Sequence, residues 1–332
     1  MLKDEILHLL ERRRGEVVSG GELAKELGVS RTAVWKAIHT LEQSGAAIET
    51  LQGAGYRLAE HSDALSPTML QESLSTRFVG RSLELLPEVD STSNYLKRNA
   101  SEPPNGHVAV ADRQTGGRGR LGRSFVSPEG SVYLSVLLKP EGRGEGKSSF
   151  LGDLSPAETQ FLTICAAVAV CRALKRAADM DCDIKWVNDV FWGGKKICGI
   201  LTEASINAEL QSLEYAVVGI GINMGEVPEE IAGIATSVWE ATGRRGLRAA
   251  VTAALLEEFE KVCLDFVEGN KKEEILRAYE DRLFVQGREV LVTTAKEQYR
   301  AVVAGVDADA ALLVKRDGAD ITRLVSGEIT LL

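Results

Sequence analysis

Hydrophobic residues recur at helical spacing in three short blocks within the first sixty residues. The second block ends at Gly28, and the third follows a capping Ser30 and ends near Gly45. The apolar positions of these blocks are Ile6, Leu7, Leu9, Leu10, Leu23, Ala24, Leu27, Ala33, Val34, Ala37, Ile38 and Leu41. Two helices joined by a short glycine-containing turn predict a helix-turn-helix.

The third predicted helix has a polar face that contains no carboxylate before Glu42. This basic face comprises Arg31, Thr32, Trp35, Lys36 and His39. Two strand-like runs follow around residues 53–55, which is where a winged helix has its wing. The combination favours DNA binding. The alternative is that the face is simply the solvated side that any small helical unit has.

Residues 65–284 alternate strand-like and helical segments, which predicts a mixed α/β domain. Strands are predicted at 106–113, 131–140 and 214–224, a long helix at 157–178, and acid-rich helices between 247 and 283. After Gln286 the chain changes to short runs of β-branched residues separated by glycines, which predicts a small barrel of about 45 residues. Because such a unit is marginal alone, we expect it to pack on the preceding domain. The predicted domains are 1–62, 65–284 and 285–332.

The 332 residues are 44% hydrophobic and 26% charged, a composition typical of soluble globular chains. The N-terminal segment lacks the apolar run of a secretory signal, and the stretch from Phe161 to Cys171 is too short to cross a bilayer. Five cysteines without metal-ligand spacing predict buried, reduced thiols in a cytoplasmic protein. With 39 basic and 48 acidic residues, the net charge is −9, so any contact with nucleic acid must come from a local patch.

Residues 116–123 form a loop of glycines and arginines directly after a predicted strand. Glycines let the backbone approach a ligand closely, and the arginines Arg118, Arg120 and Arg123 carry permanent positive charge. An anion such as a phosphate or a carboxylate is the expected ligand. The alternative is a disordered, solvated loop.

A second cluster, Lys185 to Asp189, precedes a predicted hairpin turn at residues 193–194. The turn would bring Lys195 and Lys196 back toward Asn188 and Asp189. Lysines beside an Asn-Asp pair suit phosphate, carboxylate or Mg²⁺ chemistry. The alternative is a surface salt bridge.

Two further glycine-rich segments do not match the nucleotide-binding motifs that they partly resemble. A phosphate-binding P-loop would need a glycine at position 141, and the chain has Glu141 there. The segment 219–223 lacks the third glycine of the dinucleotide-binding fingerprint. Neither segment therefore predicts a nucleotide site by itself.

Taken together, the motifs resemble the biotin protein ligases, and specifically the bifunctional type that also represses the biotin operon. The resemblance covers nearly the whole chain. It lies in DSTSN at 90–94, Gln114, GGRGRLGR at 116–123, KWVND at 185–189, KKICGIL at 195–201, GIGINM at 219–224 and SGEITLL at 326–332. It implies an α+β catalytic domain with a mixed sheet, between an N-terminal winged helix-turn-helix and a C-terminal SH3-like β-barrel.

The resemblance also implies an activity. Biotin and ATP, with Mg²⁺, would form biotinyl-5′-adenylate and pyrophosphate, and biotin would then pass to a lysine of the biotin carboxyl carrier protein of acetyl-CoA carboxylase. Operator DNA and a second copy of the chain, in a ligand-promoted homodimer, are the other implied partners. No membrane partner is expected.

The implied site residues carry over position by position. Biotin is expected at Ser91, Thr92, Ser93, Gln114, Arg118, Gly119, Arg120 and Lys196. The nucleotide is expected at Arg118, Arg120, Arg123, Asn188 and Asn223. The catalytic groups are expected to be Arg120, Lys196 and Asp189, with no metal held by the protein alone. For the serine run, a helix N-cap is the alternative reading.

Three departures from the family pattern stand out. Val187 replaces the usual proline, which is expected to reduce turn rigidity, and Leu121 replaces a frequent arginine. The stretch 141–159 is longer and more polar than expected. The main competing function is a transcription factor that senses biotin without turnover, and an ATPase based on the failed P-loop is a remote one.

Overall fold

The structure is a computed structural model that describes residues 2–43, 46–140, 154, 158–207, 209, 212–316 and 320–332. The stretch that fails the P-loop motif, 142–148, and most of the polar stretch 141–159 lie outside these residues. The described part folds around three sheets of two, seven and five strands.

The N-terminal segment forms three helices and a hairpin, as predicted. Ser30 Oγ accepts a hydrogen bond from the Ala33 backbone at 3.1 Å and so begins the third helix. A separate hydrophobic core holds this unit together, although Leu27 and Ala33 are only half-buried. The elements are α1 (Leu2–Arg12), α2 (Gly20–Glu26), α3 (Arg31–Gln43), β1 (Ile48–Leu51) and β2 (Gly55–Leu58).

Arg14 binds the segment that leads out of this unit. Its guanidinium donates to the backbone carbonyls of Ala59, Glu60 and Ser62 at 3.2, 2.8 and 2.9 Å. The segment that follows β2 is therefore packed against the N-terminal unit.

The central sheet has the strand order β3-β4-β5-β9-β8-β7-β6, and its strands pair antiparallel except for the parallel pair β3–β4. The sheet is therefore mixed, as predicted. Its strands are β3 (Leu83–Val89), β4 (His107–Gln114), β5 (Val132–Leu138), β6 (Asp183–Lys185), β7 (Asp189–Trp192), β8 (Lys195–Asn207) and β9 (Ser212–Ile222).

Helices accompany this sheet. The long predicted helix is α6, and most of its residues are buried because it packs against β8, β9 and α8. The short α5 packs against β4, β5 and β9, with its first turn at the predicted serine run. The helices are α4 (Pro67–Ser73), α5 (Thr92–Arg98), α6 (Thr159–Ala178), α7 (Val238–Thr242), α8 (Arg248–Val267) and α9 (Lys272–Glu280).

The C-terminal residues form an antiparallel sheet in the order β13-β12-β11-β10-β14. Its fifth strand, β14, pairs with β10. Its apolar residues join the hydrophobic core of the central sheet, so it packs on the preceding domain as expected. The strands are β10 (Glu289–Thr293), β11 (Gln298–Val306), β12 (Leu312–Lys315), β13 (Ile321–Leu324) and β14 (Glu328–Leu331).

All five cysteines are buried and free, as the sequence predicted. Burial raises the pKa of Cys182 to about 12 and the pKa values of Cys171, Cys198 and Cys263 above their usual range. Such thiols are poor nucleophiles. In the described ranges, no helix is both long enough and apolar enough to span a membrane.

Candidate active site

A cavity of about 140 Å³ opens where the start of α5, the Gly/Arg loop, the β7–β8 hairpin and the start of β14 meet. Most of the predicted site residues line it. They are Ser91, Thr92, Ser93, Gln114, Arg118, Gly119, Arg120, Arg123, Asn188, Asp189 and Lys196. Segments that are far apart in the chain therefore converge on one cavity.

One end of the cavity is built from neutral hydrogen-bonding groups. The Gln114 side-chain oxygen accepts from the Thr92 backbone at 2.9 Å, and its amide nitrogen donates to Ser127 Oγ at 3.0 Å. Ser135 Oγ lies 2.8 Å from Thr92 Oγ1 and 2.9 Å from Ser93 Oγ. These hydroxyls and amides form a preorganised corner for a polar, uncharged ligand group.

Ser91 is a helix N-cap, which was the alternative interpretation of the serine run. Its Oγ accepts from the Asn94 backbone at 3.4 Å, so it caps α5. Ser91 also lines the cavity. The cap and the site are therefore the same residue.

Three glycines of the central sheet leave space for side chains that line the cavity. A Cβ on Gly219 would lie 2.4 Å from Ser93 Oγ. A Cβ on Gly199 or Gly221 would lie 2.9 or 2.6 Å from the ring of Phe125. The glycines of β8 and β9 therefore let other parts of the protein pack close to these strands, which is one of the uses of glycine in a strand.

The other end of the cavity is cationic. Lys196 Nζ lies 2.8 Å from Asp189 Oδ1 and 5.6 Å from the centre of the Phe125 ring. Lys185 also lines the cavity, and burial lowers the pKa of its ammonium group, an effect that Asp189 opposes. The predicted hairpin thus brings Lys196 to Asp189. Lys195 instead points away, with its Nζ 2.7 Å from the Ala232 carbonyl.

Arg120 is the most enclosed arginine of the Gly/Arg loop. Its Nη1 donates to Asn188 Oδ1 at 3.3 Å, and its guanidinium carbon lies 6.0 Å from the centre of the Trp186 ring. Burial lowers the pKa of Arg120, and Asp189 is the largest effect that opposes the shift. A half-buried guanidinium without a bidentate carboxylate partner is available to an incoming anion.

Arg118 and Arg123 are held by carboxylates. Arg118 Nη1 donates to Asn94 Oδ1 at 3.0 Å and to Glu203 Oε1 at 3.1 Å. Arg123 makes a bidentate ion pair with Glu328 at the start of β14. The hydrogen bond from Arg123 lowers the pKa of Glu328. Both arginines therefore lie at the cavity with partners already in place.

Asn223 is the predicted site residue that the structure does not bring to the cavity. Its side-chain amide donates to the Thr236 carbonyl at 3.0 Å, and it is absent from the described residues that line the cavity. Its role here is to tie the end of β9 to the segment before α7.

Sequence reasoning missed several cavity residues. Phe125, Lys185 and Glu328 line the cavity, and Ser135 supports it from behind through its contacts with Thr92 and Ser93. Lys185 and Glu328 belong to motifs that carried the family resemblance, which was the available signal. Ser135 lies in an apolar strand and gave no signal of its own.

The basic face of α3 is exposed as predicted, at Arg31, Thr32, Trp35, Lys36 and His39. Trp35 and His39 stack with ring centres 5.7 Å apart, and His39 Nδ1 also lies 3.5 Å from Glu42. The hairpin β1–β2 follows, as a wing would. The geometry is that of a recognition helix with a neighbouring wing.

Comparison with known proteins gives a consistent result. The sequence model of the Biotin/lipoate A/B protein ligase family matches residues 85–223, and that of an HTH domain matches residues 3–57. The bifunctional ligase/repressor BirA of Bacillus subtilis (strain 168) is 33% identical over 99% of this chain and 98% of its own length. The protein of that name from Escherichia coli (strain K12) is 29% identical over 96% of this chain and 94% of its own length.

A solved structure is also similar. It is the biotin protein ligase from Aquifex aeolicus in complex with biotin and ATP, with a TM-score of 0.62 and 31% identity. The match covers 76% of this chain and 99% of that one.

Proposed function

The chain belongs to the family of bifunctional biotin ligase/repressors, and we propose that it activates biotin with ATP and transfers it to a lysine of a carrier protein. The observation that carries the proposal is the division of one cavity into a neutral hydrogen-bonding corner and a cationic end. Biotin has the matching division, with a polar uncharged ring system at one end and a carboxylate at the other.

The ring system of biotin is assigned to the neutral corner. Thr92, Ser93 and Gln114 supply donors and acceptors for a ureido group, and Ser135 holds the two hydroxyls in place. Ser91 fixes this turn as the cap of α5. Burial beside the Phe125 ring suits the apolar part of the ligand.

The carboxylate and the α-phosphate are assigned to the cationic end. A biotin carboxylate oxygen attacks the α-phosphorus, the bond from that phosphorus to the bridging oxygen breaks, and pyrophosphate leaves. Lys196 and Arg120 neutralise the charge that gathers during this step, and Asp189 positions Lys196. Gly119 lets the loop backbone come close to the ligand.

The nucleotide is assigned to Arg118, Arg120, Arg123 and Asn188, which line the cavity. Asn223 is a further contact that needs a change from the arrangement described here, because its side chain must turn from the Thr236 carbonyl. Arg123 faces the ligand while Glu328 continues to hold its guanidinium, so the Gly/Arg loop stays in place over the adenylate.

Mg²⁺ is proposed to arrive on ATP. The described residues contain no cluster of three or more His, Cys, Asp or Glu side chains that would hold a metal. Mg²⁺ is commonly bound by substrate phosphates and one or two carboxylates, and Asp189 is the carboxylate that fits this role. The ion would neutralise phosphate charge.

A second proposed activity is repression. The exposed face of α3 and the wing support binding of operator DNA, and a homodimer that forms with the adenylate would present two such faces to a palindrome. We further propose that residues 285–332 form an SH3-like barrel, that 1–62 and 65–284 are the other domains, and that the protein acts in the cytoplasm.

The deciding experiment is release of pyrophosphate from ATP in the presence and absence of biotin. A ligase releases pyrophosphate only with biotin, and the intact mass of a biotin carboxyl carrier domain then rises by one biotin. A transcription factor that senses biotin would bind it without either result, and an ATPase would act without biotin.

A further inference from the structure

A second cavity, of about 370 Å³, lies beside the first. The two cavities share Arg120, Asn188, Ile200 and Leu201 as lining residues, so they meet at Arg120 and Asn188. Biotin and the reacting phosphate are assigned to the first cavity.

The walls of the second cavity differ in chemistry from those of the first. They are aliphatic at Val187, Leu201 and Val325, and the polar lining residues other than Arg120 are neutral: Thr159, Gln160, Thr163, Asn188, Thr202 and Ser326. The hydroxyls of Thr163 and Thr202 satisfy each other through a hydrogen bond of 2.8 Å. Among the described lining residues, the arginine shared with the first cavity is the single charged one.

This lining does not suit a triphosphate. The first cavity adds Arg118, Lys185 and Lys196 to Arg120, whereas the second has no further cation among the described residues. Moving a polyanion from water into the second cavity would cost more hydration free energy than its interaction with one arginine recovers. The expected occupant is therefore a long aliphatic group that ends in a neutral polar atom.

We propose that the second cavity admits the lysine side chain of the protein acceptor and leads its amine to the bound adenylate at Arg120 and Asn188. The proposal rests on the ligase function given above. The aliphatic stem of a lysine matches the apolar walls, since lysine side chains bury their methylene groups along such surfaces. The point where the cavities meet is where the cationic end of the first cavity holds the acyl phosphate.

The chemistry of transfer requires a neutral amine. A cavity lined by aliphatic and neutral polar side chains, with Arg120 as the one charged group among its described lining residues, disfavours an ammonium ion and so lowers the pKa of the lysine. The amine nitrogen forms a bond to the acyl carbon, the bond from that carbon to the phosphate oxygen breaks, and AMP leaves with the electron pair. The surplus proton on nitrogen passes to water.

Two exposed residues at the edge of this cavity allow a test. Ala204 lies on β8, on the same face as Thr202, and Val325 follows β13. Ala204→Phe and Val325→Trp would fill the opening without disturbing a buried residue. Matched controls are Ile206→Phe on β8 and Ile321→Trp on β13, because both positions are exposed and neither lines the cavity.

Each full-length variant is tested in two assays. Biotin-dependent exchange of pyrophosphate into ATP measures adenylate formation, and single-turnover transfer from preformed adenylate to a biotin carboxyl carrier domain measures the second step. We expect Ala204→Phe and Val325→Trp to keep wild-type exchange but to slow transfer about tenfold or more, as misplacement of a reactant does. The controls should match wild type in both assays.

Three results would overturn the inference. Loss of exchange together with transfer would assign the cavity to ATP, and unchanged transfer would remove it from the route of the lysine. Equal slowing by the controls would point to the general surface. A wild-type protein without biotin-dependent exchange would instead reject the ligase function itself, and the inference with it.

Discussion

Glu328 holds both terminal nitrogens of the Arg123 guanidinium, although the two residues are 205 positions apart in the chain. The pair joins the end of the Gly/Arg loop to the last strand of the C-terminal sheet. The position of the loop over the cavity is therefore set in part by the C-terminal sheet. The same carboxylate also lines the cavity.

We expect Glu328→Gln to loosen the loop and speed dissociation of the adenylate. Because both side chains are partly exposed, the pair contributes no more than about 1 kcal/mol, which is about a fivefold change. Dissociation of preformed adenylate, followed by stopped flow or filter binding, measures it. If the two residues pair, the adenylate should dissociate more slowly from the double variant Arg123→Glu, Glu328→Arg than from either single variant. If they do not interact, the effects of the two single substitutions on the dissociation rate should simply add.

The same ion pair has a defined pH dependence. Arg123 lowers the pKa of Glu328, so the pair is present above the ordinary pKa of a glutamate and is lost as the pH falls through the lowered value. The effect of Glu328→Gln on adenylate dissociation should therefore be constant at neutral pH and vanish in acid. An effect that instead grows toward acid pH would mean that the neutral carboxyl group is the form that matters.

Lys196→Ala should slow adenylate formation by about 10²-fold or more, since removal of one preorganised charge partner typically costs about 2.7–4 kcal/mol of barrier. Biotin-dependent pyrophosphate exchange measures this rate. Lys195→Ala is the matched control, because the neighbouring ammonium contacts the Ala232 carbonyl outside the cavity. Equal rates for the two variants would contradict the role given to Lys196.

Deletion of residues 1–62 should leave adenylate formation intact. The N-terminal unit has its own hydrophobic core, and the cavity begins at Ser91. His8 Nε2 and Glu72 lie 2.8 Å apart across the two parts, so some loss of thermal stability is expected. Circular dichroism establishes folding before exchange is measured. A folded truncated protein without exchange would show that the N-terminal unit supports the site.

Biotin with ATP, but not ATP alone, should raise both the dimer fraction and the affinity for operator DNA. A loop that orders around the adenylate removes a disorder cost before association. Analytical ultracentrifugation and DNA titration with and without the ligands measure the two quantities. Unchanged values would separate DNA binding from ligand binding.

Lys36→Ala should weaken operator binding and reduce its salt dependence by about one counterion. Lys25→Ala on α2 is the control, because that lysine is exposed but lies outside the basic face of α3. Ligase activity should be unchanged in both variants. If Lys25→Ala has the larger effect, α3 is not the helix that contacts the DNA.

The sequence predicted the parts of the site that depend on local geometry. The turn at residues 193–194 requires the strands on either side to pair, so Lys196 had to return beside Asp189. Ser30 and Ser91 cap helices for reasons that lie within four residues of each. Such short-range rules apply wherever the segment lies in the fold.

The contacts that sequence patterns missed are long-range. Ser135 joins Thr92 across 43 positions, and nothing within the apolar strand β5 marks its hydroxyl as different from a buried, satisfied serine. Asn223 was assigned to the nucleotide from its motif, and the packing of the segment before α7 gives its amide another partner. Packing between distant segments decides both cases.

The narrow space between Gly219 and Ser93 limits the size of the groups that fit at this point of the cavity. A Cβ added to Gly219 would collide with the Ser93 hydroxyl, which lines the cavity. Removal of that hydroxyl would enlarge the space while Ser135 keeps its partner Thr92 at 2.8 Å. Ser93 is therefore the position from which an engineered enzyme for bulkier vitamin analogues would start.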